Sequence, residues 1–506
     1  MADGGVTHRK RLHECVGRGV PGDDPWITGV AIDSRKIKRG DLFIAYRGET
    51  TDGHRFVADA VAAGAAAVVV DQPASAGASA GASAPSVSVP GVSAHSVSVP
   101  IVQLADTRRE AGHIAARFYD HPSRALGCIG VTGTNGKTSV SVHLATLLSR
   151  QGRSCAYGGT LGWGLGTSLC GGRLTTEDPV TLQRRLSGLV SARAEWAALE
   201  VSSHALAQHR ADAVEFRTAV FTNLTRDHLD YHGSMADYGA AKRRLFEWPA
   251  LGAAVVNLDD PFGAALATSL KGRVNLLTYG VRARADLRWE NLGFGADGVN
   301  GTLVTPWGRL PFSLPLYGEF AVANFAAALG AAVFAGCDAA ALIESARTMP
   351  AAPGRMQLIR RARKPTVVID YAHTPDALAK ALEAARRHAG GRVICVFGCG
   401  GDRDRGKRPL MAQAVEERAD VAWVTNDNPR SEVPAQIAQD IERGFSGRIP
   451  VQVELDRRRA IGLALEAAGP GDLVLIAGKG HETYQEIGGR RLPHSDLEVA
   501  ESCLGG

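Results

Sequence analysis

A short glycine-rich segment has the residue types that bind phosphate. It is GTNGKT at positions 133–138, and it follows an apolar run and precedes a helical pattern over 138–150. In phosphate loops, glycines let backbone N–H groups approach the phosphate oxygens, and the N-terminus of the next helix adds favourable partial charge. Lys137 would then contact the outer phosphates of a nucleotide, and Thr138 would hold Mg²⁺. The segment is shorter than the pattern GxxxxGK[ST], because position 131 is valine, so a tight turn of another kind is the alternative.

Two further side chains near predicted strand ends could hold a metal ion. Glu200 ends the predicted strand 196–200, and His228 follows the predicted strand 219–223. Open parallel sheets bind ligands beyond the carboxyl ends of their strands. A carboxylate and an imidazole beside a phosphate loop could hold a second divalent ion, and two ions could neutralise a transferring phosphoryl group. The alternative for His228 is a structural histidine with satisfied hydrogen bonds.

The elements that must position these side chains alternate between strands and helices. Between 126 and about 353, apolar runs separated by longer amphipathic segments predict a parallel sheet with crossover helices, with a β-rich excursion over 285–317. The predicted strands there cover 126–131, 196–200, 219–223 and 253–258. The alternation restarts after Gly354, a predicted hinge, with strands at 366–370, 392–397, 421–425 and 473–477 and helices such as 377–388 and 457–468.

The first part of the chain is predicted to be a small α/β unit with an insertion. Strands within 26–32, 41–46 and 66–70 accompany a helix over 56–63, and a further helix covers 108–119. Residues 72–98 are almost only Ala, Ser, Gly, Val and Pro. Such a segment cannot bury enough apolar surface to offset the entropy of ordering it. It is therefore predicted to be a flexible insertion within the first domain rather than a boundary between domains.

The composition is that of a globular protein with about three domains. The chain has 506 residues, 45% of them hydrophobic, and domains of roughly 100–200 residues are typical. A net charge of +5 fits small anionic substrates and gives no indication of nucleic-acid binding. The eight cysteines include no CxxC pair, which argues against zinc or a disulfide framework and favours a reducing cytoplasm. Neither a secretory signal nor an apolar run of roughly 18 residues is present in the sequence, so no membrane insertion is expected.

Seven segments together resemble the Mur ligases, an enzyme family. They are TGTNGKT, LEVSSHALAQHR, NLTRDHLDYHG, DYAHTPDAL, FGCGGDRDRGKRP, DNPRSE and AGKGHE. The resemblance extends from about Ile32 to Asp496, apart from the insertion. It implies a three-domain α/β protein. A small N-terminal α/β domain (1–123) would bind the UDP end of a precursor, a central parallel-sheet ATPase domain of the phosphate-loop type (124–353) would bind ATP, and a Rossmann-like C-terminal domain (354–506) would bind an amino acid.

The resemblance also implies roles for individual residues. Nucleotide contacts are implied for Gly133, Thr134, Asn135, Gly136, Lys137, Thr138, Ser139, Asn324, Arg355, Asp370 and His373. Contacts with the UDP-linked precursor are implied for Ser34, Thr175, Thr176, Ser202, Gln208 and Arg210. Two Mg²⁺ ions would be held by Thr138, Glu200, His228 and Lys242, and catalysis would involve Lys137 and the last three of these. Composition alone predicts that Lys242 is a solvated helix lysine, but its counterpart in the family is carbamylated, and a carbamate can bind Mg²⁺ as a carboxylate does.

The identity of the amino acid is predicted from the segment DNPR at 427–430. The resemblance implies that Arg430 binds the distal carboxylate of diaminopimelate, which suits a guanidinium because it binds carboxylates bidentately. Family members that add lysine tend to lack this arginine. Further amino-acid contacts are implied for Arg403, Asp427, Asn428, Gly478 and Glu482, with Glu482 able to pair with the far ammonium group. Singly, each charged residue of this set could equally form a surface ion pair.

The implied reaction is ATP-dependent amide-bond formation through an acyl phosphate, adding diaminopimelate to a UDP-linked muramoyl-dipeptide in peptidoglycan precursor synthesis. A cytoplasmic monomer acting on small molecules is expected. Three segments depart from the family pattern: the insertion at 72–98, the loop ETT at 49–51, and GTLGWGLGTSLC at 159–170. They leave open a paralogue that adds another amino acid, such as L-lysine, or uses a related acceptor.

Three other interpretations compete with this one. A folylpolyglutamate synthetase uses the same chemistry but lacks the N-terminal uridine domain and has Lys-Gly where this chain has Lys137 and Thr138. A nucleotide-driven switch would hydrolyse ATP without precursor and amino acid. A silent binding paralogue is hard to reconcile with the presence of Lys137, Glu200, His228 and Lys242 together.

Overall fold

The computed structural model describes residues 8–20, 22–49, 51–71, 99–172, 174–281 and 284–505, so the predicted insertion at 72–98 lies outside the described residues. The chain divides into two compact units. Unit 1 comprises Met1–Lys137, Gly152–Val256 and Asp260–Leu276, and unit 2 comprises Thr138–Gln151, Asn257–Asp259 and Leu277–Gly506. The domain boundaries expected after 123 and 353 stay predictions.

The N-terminal part forms a four-stranded parallel sheet in the order β3-β4-β5-β6, with helices beside it. Its elements are β1 Lys10–Arg11, α1 Leu12–Val16, β2 Trp26–Ile27, β3 Gly29–Ala31, β4 Asp41–Ile44, α2 Val57–Ala62, β5 Ala67–Asp71, β6 Ile101–Leu104 and α3 Thr107–Phe118. Alternate residues of β4 belong to different cores, because successive strand side chains point to opposite faces. Leu42 packs in a core with Ile114, and Phe43 packs in another with Val57.

The central part is built on an eight-stranded sheet in the order β10-β9-β8-β11-β7-β12-β13-β14. Its elements are β7 Gly127–Thr132, α4 Lys137–Arg150, β8 Cys155–Gly159, β9 Gly162–Leu165, β10 Ser168–Cys170, α5 Pro179–Ser191, β11 Trp196–Glu200, α6 Ser203–Ala207, β12 Phe216–Phe221, α7 Leu229–His232, α8 Met235–Arg243, β13 Ala253–Asn257, α9 Pro261–Leu270, β14 Asn275–Tyr279, β15 Arg288–Gly295, β16 Gly298–Thr305, β17 Gly308–Leu314, α10 Glu319–Phe334 and α11 Ala339–Ala346. Strand β7 pairs in parallel with β11 and β12. The segments that follow these three strands therefore meet at one edge of the sheet.

The C-terminal part has a six-stranded sheet in the order β18-β19-β23-β20-β21-β22, parallel except for β18. Its elements are β18 Gln357–Ile359, β19 Thr366–Asp370, α12 Pro375–His388, β20 Val393–Phe397, α13 Lys407–Glu416, β21 Val421–Val424, α14 Pro434–Glu442, β22 Val451–Val453, α15 Arg457–Glu466, β23 Leu473–Ala477, β24 Tyr484–Ile487, β25 Arg490–Pro493 and α16 Asp496–Leu504. Separate apolar cores pack on its two faces, which confirms the predicted Rossmann-like layering.

Most predicted strands are confirmed, and the excursion over 285–317 is the antiparallel sheet β15-β16-β17. The strand predicted at 219–223 is wrong in its limits: β12 covers Phe216–Phe221. The exposed Arg217 interrupts the apolar run at a register shift, so periodicity alone places the start of the strand too late. Among the helices of the described ranges, none has the length and apolar composition that a membrane crossing needs.

Candidate active site

The phosphate loop connects β7 to α4, as the sequence predicts. A side chain at Gly133 would collide with the hydroxyl of Thr222, and its φ of 150° is one that other residues rarely adopt. The loop is tied to the segment after β12, because the backbone N–H of Thr134 donates to the carbonyl of Asn223 at 2.8 Å. The Nζ of Lys137 donates to the carbonyl oxygens of Gly133 and Thr134, both at 2.9 Å. The ammonium thus lies against the loop that would cradle the phosphates.

The nearby positions of the predicted nucleotide set begin α4. Lys137 is its first residue, Thr138 is buried, and Ser139 is half-buried. Asn135 is held by two neighbours, with its N–H donating to the amide oxygen of Asn223 at 2.9 Å and its carbonyl accepting from Thr222 at 2.6 Å. The loop conformation is therefore fixed by the residues that follow β12.

Glu200 ends β11 and is only 2% exposed. Its carboxylate accepts from the hydroxyl of Tyr157 and, at 3.0 Å, from the backbone N–H of Thr160. The hydroxyl of Thr160 lies 3.2 Å from the second oxygen. A Cβ at Gly159 would overlap the carboxylate, so glycine is required there. The segment 159–170 that departs from the family pattern thus positions this carboxylate.

The predicted precursor-binding residues form a network next to Glu200 in unit 1. The hydroxyl of Thr176 donates to the carbonyl of Glu200 at 2.9 Å and accepts from the N–H of Ser202 at 3.0 Å. Arg210 donates to the carbonyl of Thr176 at 3.1 Å and also to the amide oxygen of Gln208. Such a set offers hydroxyl, amide and guanidinium donors to a ligand that carries carboxylates.

Two other predicted precursor contacts differ in their surroundings. Thr175 joins the network, since its hydroxyl lies 3.1 Å from that of Thr160. Ser34 begins a separate 3₁₀ turn, Ser34–Lys36, whose N-cap is Asp33. Within the described ranges, no hydrogen bond of the network reaches Ser34. The side chain of Gln208 donates to Glu49 and, at 3.1 Å, to the hydroxyl of Tyr231.

His228 lies on the loop between β12 and α7 rather than at the strand end, and its φ of 52° is left-handed. Burial lowers the pKa of its imidazole, the positive charges of Lys137 and Lys242 lower it further, and Asp227 opposes them. A neutral imidazole is the form that binds metal ions. His228 is thus in a suitable state to act as a ligand beside two lysines.

Lys242 is 1% exposed on α8, so the prediction of a solvated lysine is wrong. Its Nζ lies 4.3 Å from the centroid of the Tyr238 ring. Burial and the charge of Lys137 hold the pKa of Lys242 well below its usual value. Burial is a property of the packed fold, and a nine-residue helix with weak amphipathicity does not reveal it. A neutral amine is the form that reacts with carbon dioxide to give a carbamate.

The donor chemistry around this loop suits Mg²⁺, although no group of three or more His, Cys, Asp or Glu able to hold a metal occurs in the part of the chain that is described. Magnesium prefers oxygen ligands and usually keeps several waters. The carboxylate of Glu200 and the imidazole of His228 would provide one ligand each, and the resemblance to the family adds the hydroxyl of Thr138. A carbamate on Lys242 would add the second anionic oxygen ligand. The residues therefore fit the ion if Lys242 is modified.

The nucleotide residues predicted in the C-terminal part gather around Tyr371 in unit 2. The guanidinium of Arg355 lies 4.4 Å from the centroid of that ring. Asp370 accepts from the N–H of Ala372 at 2.8 Å, and the imidazole of His373 contacts the carbonyl of Tyr371 at 2.8 Å. Asn324 lies half-buried on α10. The arrangement brings Arg355, Asp370 and His373 together.

The predicted amino-acid residues other than Arg403 lie on the loops after β21 and β23. Oε2 of Glu482 accepts from Nδ2 of Asn428 at 2.9 Å and from Nζ of Lys479 at 2.8 Å. At Gly478, with φ of 113°, a Cβ would lie 2.6 Å from a carboxylate oxygen of Asp427. The structure therefore brings together Asp427, Asn428, Gly478 and Glu482, and adds Lys479, which the sequence analysis missed although it lies inside the segment AGKGHE.

Arg430 is held in place by its own backbone. Its N–H donates to the carbonyl of Glu486 at 2.9 Å, and its φ of 53° is left-handed. One guanidinium nitrogen donates to the carbonyl of Gly401 at 2.6 Å, and another lies 3.9 Å from the carboxylate of Glu486. Arg403 is exposed on the loop after β20. Arg430 thus keeps further N–H donors for a carboxylate, as a guanidinium carries five.

One buried ion pair, which the sequence did not predict, holds the backbone segments that lead into these loops. Arg457 and Asp496 are both 0% exposed and form two hydrogen bonds of 2.7 Å. The guanidinium of Arg457 also donates to the carbonyl of Ala477 at 2.9 Å and to that of Asn426 at 3.3 Å. It therefore ties together the segments that lead to Gly478 and to Asp427.

Comparison with known proteins gives matches along the chain. Three family models match: "Mur ligase family, catalytic domain" over 26–119, "Mur ligase middle domain" over 131–332, and "Mur ligase, glutamate ligase domain" over 354–480. A relative from Pseudomonas syringae pv. tomato, named UDP-N-acetylmuramoyl-L-alanyl-D-glutamate--2,6-diaminopimelate ligase, is 48% identical over 486 residues, which cover 95% of this chain and 96% of the relative.

Solved structures agree with this assignment. One described as a UDP-N-acetylmuramoyl-L-alanyl-D-glutamate--2,6-diaminopimelate ligase has a TM-score of 0.72 and 38% identity, covering 99% of both chains. A Mycobacterium tuberculosis folylpolyglutamate synthase complexed with ADP and AMPPCP has a TM-score of 0.63 at 20% identity, covering 79% of this chain and 95% of that one, and shows a shared fold alone. The chain belongs to the Mur ligase family of ATP-dependent ligases that form peptide bonds.

Proposed function

We propose that this enzyme attaches 2,6-diaminopimelate to UDP-N-acetylmuramoyl-L-alanyl-D-glutamate. The choice of amino acid rests on the charged side chains of the loops after β21 and β23. Arg430 offers a guanidinium for a carboxylate, and Glu482 offers a carboxylate for an ammonium. A donor whose side chain ends in both groups matches this pair. Lysine, the alternative donor, would leave Arg430 without a ligand carboxylate.

The proposed reaction has two chemical steps. A carboxylate oxygen of the precursor attacks the γ-phosphorus of ATP, the bond to the β,γ-bridging oxygen breaks, and an acyl phosphate and ADP form. The neutral amine of diaminopimelate then attacks the acyl carbon, loses a proton, and inorganic phosphate leaves as the amide forms. Neither step needs a nucleophile from the protein, whose tasks are positioning and charge stabilisation.

The phosphate loop would carry the nucleotide through the first step. Its backbone N–H groups and the N-terminus of α4 favour phosphate oxygens. Lys137 would move from the carbonyl oxygens of Gly133 and Thr134 to the transferring phosphoryl group. Thr138, Glu200, His228 and carbamylated Lys242 would hold Mg²⁺, which supplies charge neutralisation there when bound.

The precursor would occupy the network next to Glu200. Arg210 and Gln208 offer charge-assisted and amide hydrogen bonds, and Thr175, Thr176 and Ser202 add hydroxyl groups. Because Thr176 donates directly to the backbone of Glu200, a precursor bound there would lie close to the residues proposed for phosphoryl transfer.

The proposal also includes a monomer working in the cytoplasm, where ATP is regenerated.

Product formation with a panel of donors tests this function. ADP release is measured with ATP and the UDP-linked muramoyl-dipeptide, in the presence of meso- or LL-diaminopimelate, L-lysine or ornithine. We expect turnover that requires the precursor and a diaminopimelate isomer together. Equal turnover with lysine would overturn the proposed donor, and ATP hydrolysis independent of both substrates would indicate a nucleotide-driven switch.

A further inference from the structure

Lys479 lies on the loop after β23 and is completely buried, at 0% exposed. Its Nζ donates to Oε2 of Glu482 at 2.8 Å and to Oδ1 of Asn428 at 3.0 Å, and it lies 5.6 Å from the centroid of the Tyr484 ring. A buried ammonium is costly unless it is paired and hydrogen-bonded. This buried lysine is therefore hydrogen-bonded to two residues that are proposed to contact the amino-acid donor.

The same contacts fix the orientation of Glu482. Its Oε2 accepts from both Lys479 and Nδ2 of Asn428, at 2.8 and 2.9 Å. Within the described ranges, the hydrogen bonds to this carboxylate all go to Oε2 and none goes to Oε1. The side chain is 18% exposed. One oxygen is thus held by the protein, and the other remains as an acceptor for a ligand.

The charges of Lys479, Glu482 and Asp427 would be balanced by one more cation. Lys479 lies 2.8 Å from the carboxylate of Glu482 and 3.9 Å from that of Asp427. One ammonium between two carboxylates gives this trio a net negative charge, and the guanidinium of Arg457, which also interacts with both carboxylates, is paired with Asp496. In a largely buried group, an unbalanced carboxylate favours a cationic partner. An alkylammonium group of the donor has the charge and the hydrogen-bond donors to provide it.

We propose that Lys479 is a positioning residue that sets selectivity for a diamino acid. It holds Glu482 through Oε2 so that Oε1 accepts the distal ammonium of the donor, and it acts through Glu482 without touching the donor. The inference rests on the proposed function, because it concerns how the proposed donor is distinguished from an amino acid that lacks the distal amine.

Two donors that differ only in the distal amine test this role. 2,6-Diaminopimelate has it, whereas 2-aminopimelate keeps both carboxylates and the reacting amine. A hydrogen bond to a charged group is worth roughly a tenfold to hundredfold change in affinity, so the wild-type enzyme should prefer diaminopimelate in KM by about that factor. In Lys479→Met, we expect the KM for diaminopimelate to rise toward that for 2-aminopimelate, while the KM for 2-aminopimelate and for ATP stays unchanged.

The controls separate positioning from loss of structure. Lys380→Met removes an exposed lysine on α12 and should leave both KM values unchanged. Lys479→Gln keeps N–H donors for Glu482 and should give an intermediate selectivity if Lys479→Met does not fold. In a Glu482→Gln background, Lys479→Met should add little, because the two residues act as one unit.

Other outcomes overturn the inference. If Lys479→Met raises the KM for both donors equally, the lysine has a general structural role, and if the preference is unchanged, Lys479 does not act on selectivity. A wild-type enzyme that uses neither donor would contradict the proposed function itself, and the inference would fail with it. The wild-type measurement distinguishes these cases before any variant is made.

Discussion

Thr160 contacts both carboxylate oxygens of Glu200: its backbone N–H donates to Oε1 at 3.0 Å, and its hydroxyl lies 3.2 Å from Oε2. The same hydroxyl lies 3.1 Å from that of Thr175. A hydroxyl has one proton to donate, so Thr160 donates either to Glu200 or to the hydroxyl of Thr175. The turn between β8 and β9 thus connects a proposed metal ligand to a proposed precursor contact.

Replacing Thr160 by valine should impair the use of the precursor. Thr160→Val keeps the backbone N–H and the shape but loses the hydroxyl that reaches Glu200. Loss of a hydrogen bond to a charged group predicts a fall of about tenfold to a hundredfold in kcat/KM for the precursor. Thr160→Ser, which keeps the hydroxyl, is the control. Steady-state rates with varied precursor check this, and equal values for the valine and serine variants would refute it.

Lys137→Ala should nearly abolish ADP formation. The lysine is the proposed contact of the transferring phosphoryl group, and removing one such charge-stabilising donor costs about 10²–10³ in kcat. ADP release with all substrates present measures the effect. Lys271→Ala changes an exposed lysine after α9 and should have no effect. Normal turnover of Lys137→Ala would contradict the assignment of residues 133–138 as the phosphate loop.

Lys242 should carry a carbamate. Its burial and lowered pKa favour the neutral amine that reacts with carbon dioxide. Carbon-13 NMR of the enzyme in labelled bicarbonate should show a carbamate signal that disappears in Lys242→Met, together with most of the activity. Lys271→Met should keep the signal. A signal that persists in Lys242→Met would place the modification elsewhere.

Arg430→Ala should weaken the binding of diaminopimelate selectively. The guanidinium is proposed to pair with the distal carboxylate, so the KM for this donor should rise roughly tenfold to a hundredfold while the KM for ATP stays the same. Arg443→Ala removes an exposed arginine after α14 and serves as the matched control. Equal increases in the two KM values would argue against a role in donor recognition.

Asp496→Asn should destabilise the protein at neutral pH by about 3–5 kcal/mol, because it leaves Arg457 as an unpaired buried charge. Burial alone would raise the pKa of Asp496, but the Arg457 guanidinium and His494 outweigh it, so the pKa lies below its usual value. A carboxylate whose pKa is lower in the folded state stabilises the fold at pH values above its unfolded-state pKa of about 3.9. This contribution to stability is lost as the pH falls further.

Denaturant unfolding of the wild type and Asp496→Asn at several pH values measures that difference. It should be constant between about pH 5 and 8 and shrink below about pH 4. A difference that grows on acidification would contradict the assignment of Asp496 as the ionised partner of Arg457.

The parallel sheets and the phosphate loop could be predicted from the sequence because their signals are local. Buried strands of parallel sheets are short apolar runs, and β7, β11 and β13 follow this pattern closely. The hairpins β8-β9-β10 could not be predicted from the sequence, because their glycines interrupt the apolar runs that indicate strands. Gly158 shows why they are glycines: a Cβ there would lie 2.7 Å from the indole of Trp163.

Burial of charged residues could not be predicted either. Lys242, Lys479 and Arg457 are exposed by less than 2%, although lysine and arginine are rarely buried. Lys479 and Arg457 depend on partners that are distant in sequence, which are Asn428 for Lys479 and Asp496 for Arg457. The resemblance to the Mur ligases predicts roles for Lys242 and Glu482, whereas the contacts of Lys479 and Thr160 are visible only in the folded structure.

Mass spectrometry of the UDP-linked product tests the central claim most directly. The enzyme is incubated with ATP, Mg²⁺, UDP-N-acetylmuramoyl-L-alanyl-D-glutamate and an equimolar mixture of diaminopimelate and L-lysine. We predict one product, heavier than the precursor by diaminopimelate less one water, formed with one ADP for each amide bond. A product that contains lysine, or ADP released without any new product, would contradict the account.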